Sequence, residues 1–366
     1  MTASSPLPPS LFTSHRLGDL TLPNRVVMAP MSRIRAAAEG LATPSMATYY
    51  AQRATAGLIV TEGVQPSLIG QSNPGTPGLH TDAQTDSWRQ VTEAVHANGG
   101  RIFAQLMHGG RVSHPDTTGF QPVGPSAVPA VGDVFTPTGP QPTPTPRALE
   151  THEVPDHANS YADAARRAVD AGFDGVELHG ANGYLISQFL SENANLRTDR
   201  YGSSVPNRIR FAVEAVAATI DAVGAARTGI RLSPAGTFWG VHESDTLELY
   251  TALLTELARL NPAYVHLEAT ADEPTLRALR RTWPGTLIMN PTLPMGPKQT
   301  DRAAADHWLA RGADLISFGR AYLANPDLVE RLRTAAPIAP ADEATYYQGG
   351  DEGYLTYPAY QYTTAA

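Results

Sequence analysis

Short apolar runs closed by Gly or polar side chains recur along this chain, each followed by a longer stretch of helical periodicity. The runs fall at residues 25–29, 58–63, 102–106, 173–178, 229–234, 264–268, 286–290 and 313–318. Their length and their turn residues predict buried strands. The periodic segments at 44–54, 81–97, 156–171, 208–223, 246–259, 273–282 and 300–310, and one from Pro326, predict helices. Thr81 and Asp82 open one of them and Asn98-Gly99-Gly100 closes it. Eight strand-plus-helix units in succession predict an α/β fold, a parallel (β/α)8 TIM barrel, because right-handed crossovers close naturally at that count.

Three stretches stand outside the alternation. Residues 17–22 read as a tight N-terminal hairpin, a plug for one end of the barrel. Residues 111–150, after the third strand, are crowded with Pro and lack long apolar periods, which predicts a capping insertion lying over the pocket. The Tyr-rich tail, residues 340–366, is read either as a surface arm or as a cover folded back over the barrel. The whole chain, residues 1–366, is expected to be a single barrel domain.

Composition narrows the function. A formal net charge of −8 leaves no basic footprint for nucleic acid. No apolar run reaches membrane length, and residues 1–9 have neither the basic segment nor the apolar core of a secretory signal, so a cytoplasmic location is expected. The absence of Cys excludes disulfides, thiolate nucleophiles, zinc–thiolate sites and iron–sulfur clusters. Redox chemistry would need a bound cofactor, and no metal site is predicted.

The chemistry concentrates at residues 172–184, where the fourth barrel strand runs into Gly-rich backbone carrying His179, Asn182 and Tyr184. In a parallel barrel the carboxyl end of a strand faces the pocket. There His179 and Asn182 can aim two donors at one oxygen, with the phenolic proton of Tyr184 beside them. Ser32, Gly63, Gln105, Arg231, Gly319 and Arg320 also sit at or near predicted strand ends. A hydroxyl, an amide, cations and bare backbone suit a planar, polar, phosphorylated ligand, and Ser317-Phe318-Gly319-Arg320 falls where such barrels commonly hold phosphate. Each has a structural reading too: Gln105 satisfying loop backbone, Arg231 pairing with a core carboxylate, Gly319 serving only a turn.

Taken in order, these segments carry a resemblance. Val27-Met28-Ala29-Pro30-Met31-Ser32-Arg33, Gln105-Leu106-Met107-His108-Gly109-Gly110-Arg111, Glu177-Leu178-His179-Gly180-Ala181-Asn182-Gly183-Tyr184, Arg197-Thr198-Asp199, Phe318-Gly319-Arg320 and Glu352-Gly353-Tyr354 together resemble the Old Yellow Enzyme family of flavin-dependent ene-reductases. The resemblance implies a non-covalent FMN, reduced by NAD(P)H and reoxidised by small-molecule activated alkenes. It implies that Pro30, Met31, Ser32 and Gly63 line the flavin, that Gln105 and Arg231 meet its pyrimidine edge, and that Asn290, Gly319 and Arg320 hold its phosphate. His179 and Asn182 would bind the substrate carbonyl oxygen, Tyr184 would protonate the α-carbon, and Tyr347 and Met107 would face the substrate.

The chain departs from the family pattern in places. Ser32 stands where Thr or Cys is usual, and Met107 where Trp is common, which predicts a roomier pocket. Pro291 has no N–H to offer phosphate. Two other classes compete with the ene-reductase. One is a flavin-free barrel doing proton transfer on a phosphorylated substrate, with His179 as base; the other is a flavin-binding protein without turnover. Ser32, Gln105 and Arg231 have no role in the first, and the intact His179, Asn182 and Tyr184 weigh against the second.

Overall fold

A computed structural model describes residues 10–291 and 299–361. The expectation for residues 1–9 and the outermost end of the tail therefore lie outside the described residues. Strands β1 (His15–Leu17) and β2 (Leu20–Leu22) pair antiparallel. Next come β3 (Val26–Met28), β4 (Leu58–Val64) and β5 (Ile102–Leu106). The insertion contributes β6 (Val123–Gly124), β7 (Asp133–Thr136), β8 (Gly139–Pro142) and β9 (Arg147–Ala148). The series ends with β10 (Gly175–Gly180), β11 (Thr228–Leu232), β12 (Tyr264–Glu268), β13 (Thr286–Asn290) and β14 (Leu315–Phe318).

Strands β3, β4, β5 and β10 to β14 close into one parallel barrel in chain order. This is the expected (β/α)8 architecture. Its interior is layered by chemistry. At the amino-terminal end, Val27, Leu58, Val60, Phe103, Tyr264, Ile288 and Leu315 form one apolar cluster with Leu17 and Leu22 of the β1–β2 hairpin, which thus plugs that end. At the carboxyl end the inward positions turn polar. Side chains alternate along a strand, so Glu177 and His179 share a face of β10, and His266 and Glu268 share a face of β12. The register sets Glu177 beside Gln105, His179 beside Arg231, Arg231 beside His266, and Glu268 beside Asn290.

The helices between strands follow their end signals. Asp82–Ala97 begins with a reciprocal capping box between Thr81 and Gln84. The helices Val154–Asp170 and Arg210–Val223 pack against one another outside β10.

Residues 111–150 are not a structureless linker. Strand β6 pairs with β9, β7 pairs with β8, and Val134 joins Val112 and Ala130 in an apolar cluster against Tyr184 and Trp239. The tail folds back as a cover. Arg33 donates to the carbonyls of Tyr346 and Gly353, each at 3.0 Å, and the buried Tyr354 ring stacks on Tyr49 with centroids 4.1 Å apart.

Candidate active site

Strand β10 ends in a loop built around two left-handed residues, Asn182 at φ 57° and Gly183 at φ 73°. A Cβ on Gly183 would lie 2.4 Å from the carbonyl oxygen of Phe238, so only Gly fits there. Ser233 at the end of β11 accepts from the Asn182 backbone N–H at 2.9 Å. The loop is thereby fixed from both sides, and it delivers Tyr184 to the pocket with its ring 5.2 Å from that of His179.

His179 is buried, 4% exposed. Burial first, and the neighbouring Arg231 cation second, depress its pKa to about 3, so the ring is neutral at ordinary pH. The Gln105 amide nitrogen lies 3.4 Å from Nδ1 and also donates to Glu177 at 2.9 Å. A donor facing Nδ1 leaves the ring proton on Nε2. Burial likewise pushes the Tyr184 phenol up to about 12, with Tyr347 adding to the rise, so it stays protonated.

Around the barrel axis lies a polar network. Arg231 donates to Glu268 at 2.8 Å and to Asn290 Oδ1 at 3.1 Å, and its third nitrogen faces Nε2 of His266 at 2.5 Å. Burial and Arg231 lower the pKa of His266 to about 4. The neutral ring therefore donates from Nδ1 to Glu177 at 2.8 Å. Asn182 directs its amide nitrogen to Glu268 at 2.8 Å, and its own Oδ1 is buried without a partner. Asn290 has both ends of its amide engaged, with Arg231 and with the Ser317 carbonyl at 3.1 Å.

The residues singled out in the sequence fall into two adjoining groups. His179, Asn182, Gln105, Arg231 and Asn290 belong to the axial network. Met31, Ser32, Arg320 and Tyr347 line a cavity of about 540 Å³. Gly63 abuts Met107, whose Sδ a Cβ there would approach to 2.7 Å, and Gly319 sits beside Met31 with room at 3.7 Å. Pro30 links β3 to that cavity. His179 and Asn182 make no hydrogen bond with each other among the described residues. Sequence reasoning missed His266 and Glu268. Their spacing of two within an otherwise apolar strand, Tyr264-Val265-His266-Leu267-Glu268, was the available signal.

The profile of the NADH:flavin oxidoreductase / NADH oxidase family matches residues 10–338. This chain belongs to that family. Among its relatives is a Leishmania infantum protein provisionally named a flavin mononucleotide-dependent alkene reductase, 38% identical over 93% of this chain and 95% of its own length. The structure of the Old Yellow Enzyme homologue from Zymomonas mobilis superposes with a TM-score of 0.90 at 39% identity, covering 96% of this chain and all, 100%, of that one. Morphinone reductase in complex with tetrahydroNAD superposes equally well, at 0.90, with 43% identity over 96% of this chain and 98% of that one. The Old Yellow Enzyme resemblance is thus borne out, and a flavin-free barrel loses its ground.

The family implies a bound FMN. A 540 Å³ cavity lies within the roughly 300–1,000 Å³ of small-molecule sites. Its lining offers the cations Arg33 and Arg320 and the hydroxyl of Ser32, with one carboxylate, Glu343. In the axial network two buried oxygens, Asn182 Oδ1 and Glu268 Oε2, have no partner among the described residues. The cations and hydroxyl fit the phosphate of FMN, and the unpartnered acceptors fit a ring N–H at its polar edge.

Proposed function

We propose that this protein is an FMN-dependent ene-reductase that takes its reducing equivalents from NAD(P)H and passes them to activated alkenes, α,β-unsaturated carbonyls or similar small molecules. The observation that carries the reading is the neutral, buried His179, its Nε2–H without a hydrogen-bond partner among the described residues, beside a Tyr184 phenol held protonated at the end of β10. Membership of a flavin oxidoreductase family supports it.

Bound FMN supplies hydride acceptance from the nicotinamide and hydride delivery to the alkene β-carbon. In this reading Pro30, Met31, Ser32 and Gly63 line the cofactor, Gln105 and Arg231 meet its pyrimidine edge, and Gly319, Arg320 and Asn290 hold its phosphate. His179 donates from Nε2 to the substrate carbonyl oxygen. Asn182 joins it by turning its amide from Glu268 toward the same oxygen. Donors aimed at the developing enolate are worth about 2.7–4 kcal/mol each by analogy with measured oxyanion holes. Tyr184 gives its phenolic proton to the α-carbon. Met107 and Tyr347 shape the space above.

The single barrel domain carries the insertion as a lid, whose Phe135 ring lies 6.3 Å from that of Tyr347, and the tail as the opposite wall. We place the protein in the cytoplasm, without nucleic-acid partners. No described helix is long and apolar enough to cross a membrane.

The test is ligand binding. Phenols mimic the enolate oxygen, and replacing His179→Ala together with Asn182→Ala is expected to weaken their binding to the FMN-loaded protein by at least about 100-fold, as loss of about 2.7 kcal/mol requires. Wild-type affinity in the double variant would remove both residues from the carbonyl anchor.

A further inference from the structure

A buried carboxylate in the axial network touches both Arg231 and Asn182 and has no part of its own in the steps above. Glu268 ends β12 with no exposed surface. Its Oε1 accepts from Arg231 Nε and from Asn182 Nδ2, both at 2.8 Å, while its Oε2 is buried with no partner. A buried oxygen without a partner is costly. The other carboxylate of the network, Glu177, reaches Arg231 only through the neutral His266. Glu268 is therefore the one anion in direct contact with this guanidinium among the described residues.

We propose that Glu268 is a positioning residue that offsets the charge Arg231 presents to the cofactor and, through the same oxygen, holds the amide of Asn182. The inference rests on the FMN reading given above. Hydride uptake brings two electrons and one proton, adding one unit of negative charge to the bound ring. Arg231 favours that charge and Glu268 opposes it, so Glu268 lowers the reduction potential of the cofactor. A lower potential makes delivery to the alkene easier and acceptance from nicotinamide harder. The shared oxygen also links the sides. With Asn182 turned to a substrate, Glu268 would lose a donor and draw more strongly on Arg231, weakening the charge that Arg231 presents to the cofactor.

The experiment is the midpoint potential of bound FMN in the wild-type holoenzyme and in Glu268→Gln, which keeps the shape and removes the charge. The expected result is a rise corresponding to about tenfold or more in the ratio of affinities for reduced and oxidised cofactor, which is about 30 mV for a two-electron couple. Glu268→Asp, which keeps the charge, is expected to stay closer to wild type than to Glu268→Gln. An unmoved or lowered potential in Glu268→Gln, or an equal rise in both variants, would overturn the inference. If Glu268→Gln does not fold, Glu268→Ser carries the same prediction. Failure of both to fold with FMN would make the carboxylate a structural prop and overturn it as well. A wild type that takes up no FMN defeats the flavin reading and this inference together. A wild type that cycles normally beside an unmoved Glu268→Gln potential defeats this inference alone.

Discussion

Glu62 lies one residue before Gly63 and is fully buried, 1% exposed. Its Oε2 accepts from the Arg33 backbone N–H at 3.2 Å and its Oε1 from the Tyr50 hydroxyl at 3.3 Å. Burial dominates over these bonds and raises the carboxyl pKa from 4.5 to about 7. Such a rise, at about 1.4 kcal/mol per pH unit, amounts to about 3 kcal/mol. Because the folded value lies above the unfolded one, the stabilisation is fully present below pH 4.5 and is lost as pH rises through about 7. Glu62→Gln mimics the protonated acid and does not titrate. Urea unfolding of both proteins, saturated with FMN, at a series of pH values isolates the effect, because all other titrations cancel in the difference. From about pH 4 to about pH 8 the variant should gain about 3 kcal/mol relative to wild type. A difference that stays constant with pH would show that Glu62 does not hold its proton in the folded protein, and the reasoning would fail.

Tyr184→Phe should slow reoxidation by an alkene about 10²–10⁴-fold in stopped-flow measurements while NAD(P)H still bleaches the flavin; an unchanged alkene rate would remove Tyr184 from the proton transfer. Gly183→Ala should cost about 1–2 kcal/mol for the left-handed backbone alone. The clash of its Cβ with Phe238 O at 2.4 Å adds to that, so phenol binding should fall with stability, and wild-type values for both would contradict the loop geometry.

Where a strand is short, apolar and bounded by turns, the sequence pattern and the structure coincide, as at Ile102–Leu106, Tyr264–Glu268 and Thr286–Asn290. At the focal strand they differ by two residues. Phe173 looks like strand but closes the preceding helix, its N–H bonded to the Ala168 carbonyl at 3.0 Å and its ring against Trp88. Pairing starts instead with Gly175 opposite Phe103 and runs to Gly180 opposite Leu232. Periodicity cannot separate an apolar residue packed on a helix from one in a sheet. The same limit hid the docking of the tail, because Arg33 reads backbone carbonyls, which are the same in every residue. The partner of Arg231 was legible only as a requirement. A buried strand Arg demands an acceptor, but its identity as Glu268 depends on the register of β11 against β12 and on side chains that reach across it.

The most direct test of the account is the visible spectrum of the purified protein, loaded with FMN and followed anaerobically. Addition of NAD(P)H should bleach the flavin band, and a cyclic enone should then restore it, establishing both half-reactions in one cuvette. Bleaching that no activated alkene reverses would contradict the ene-reductase assignment, and a protein that cannot take up FMN at all would contradict the flavin site itself.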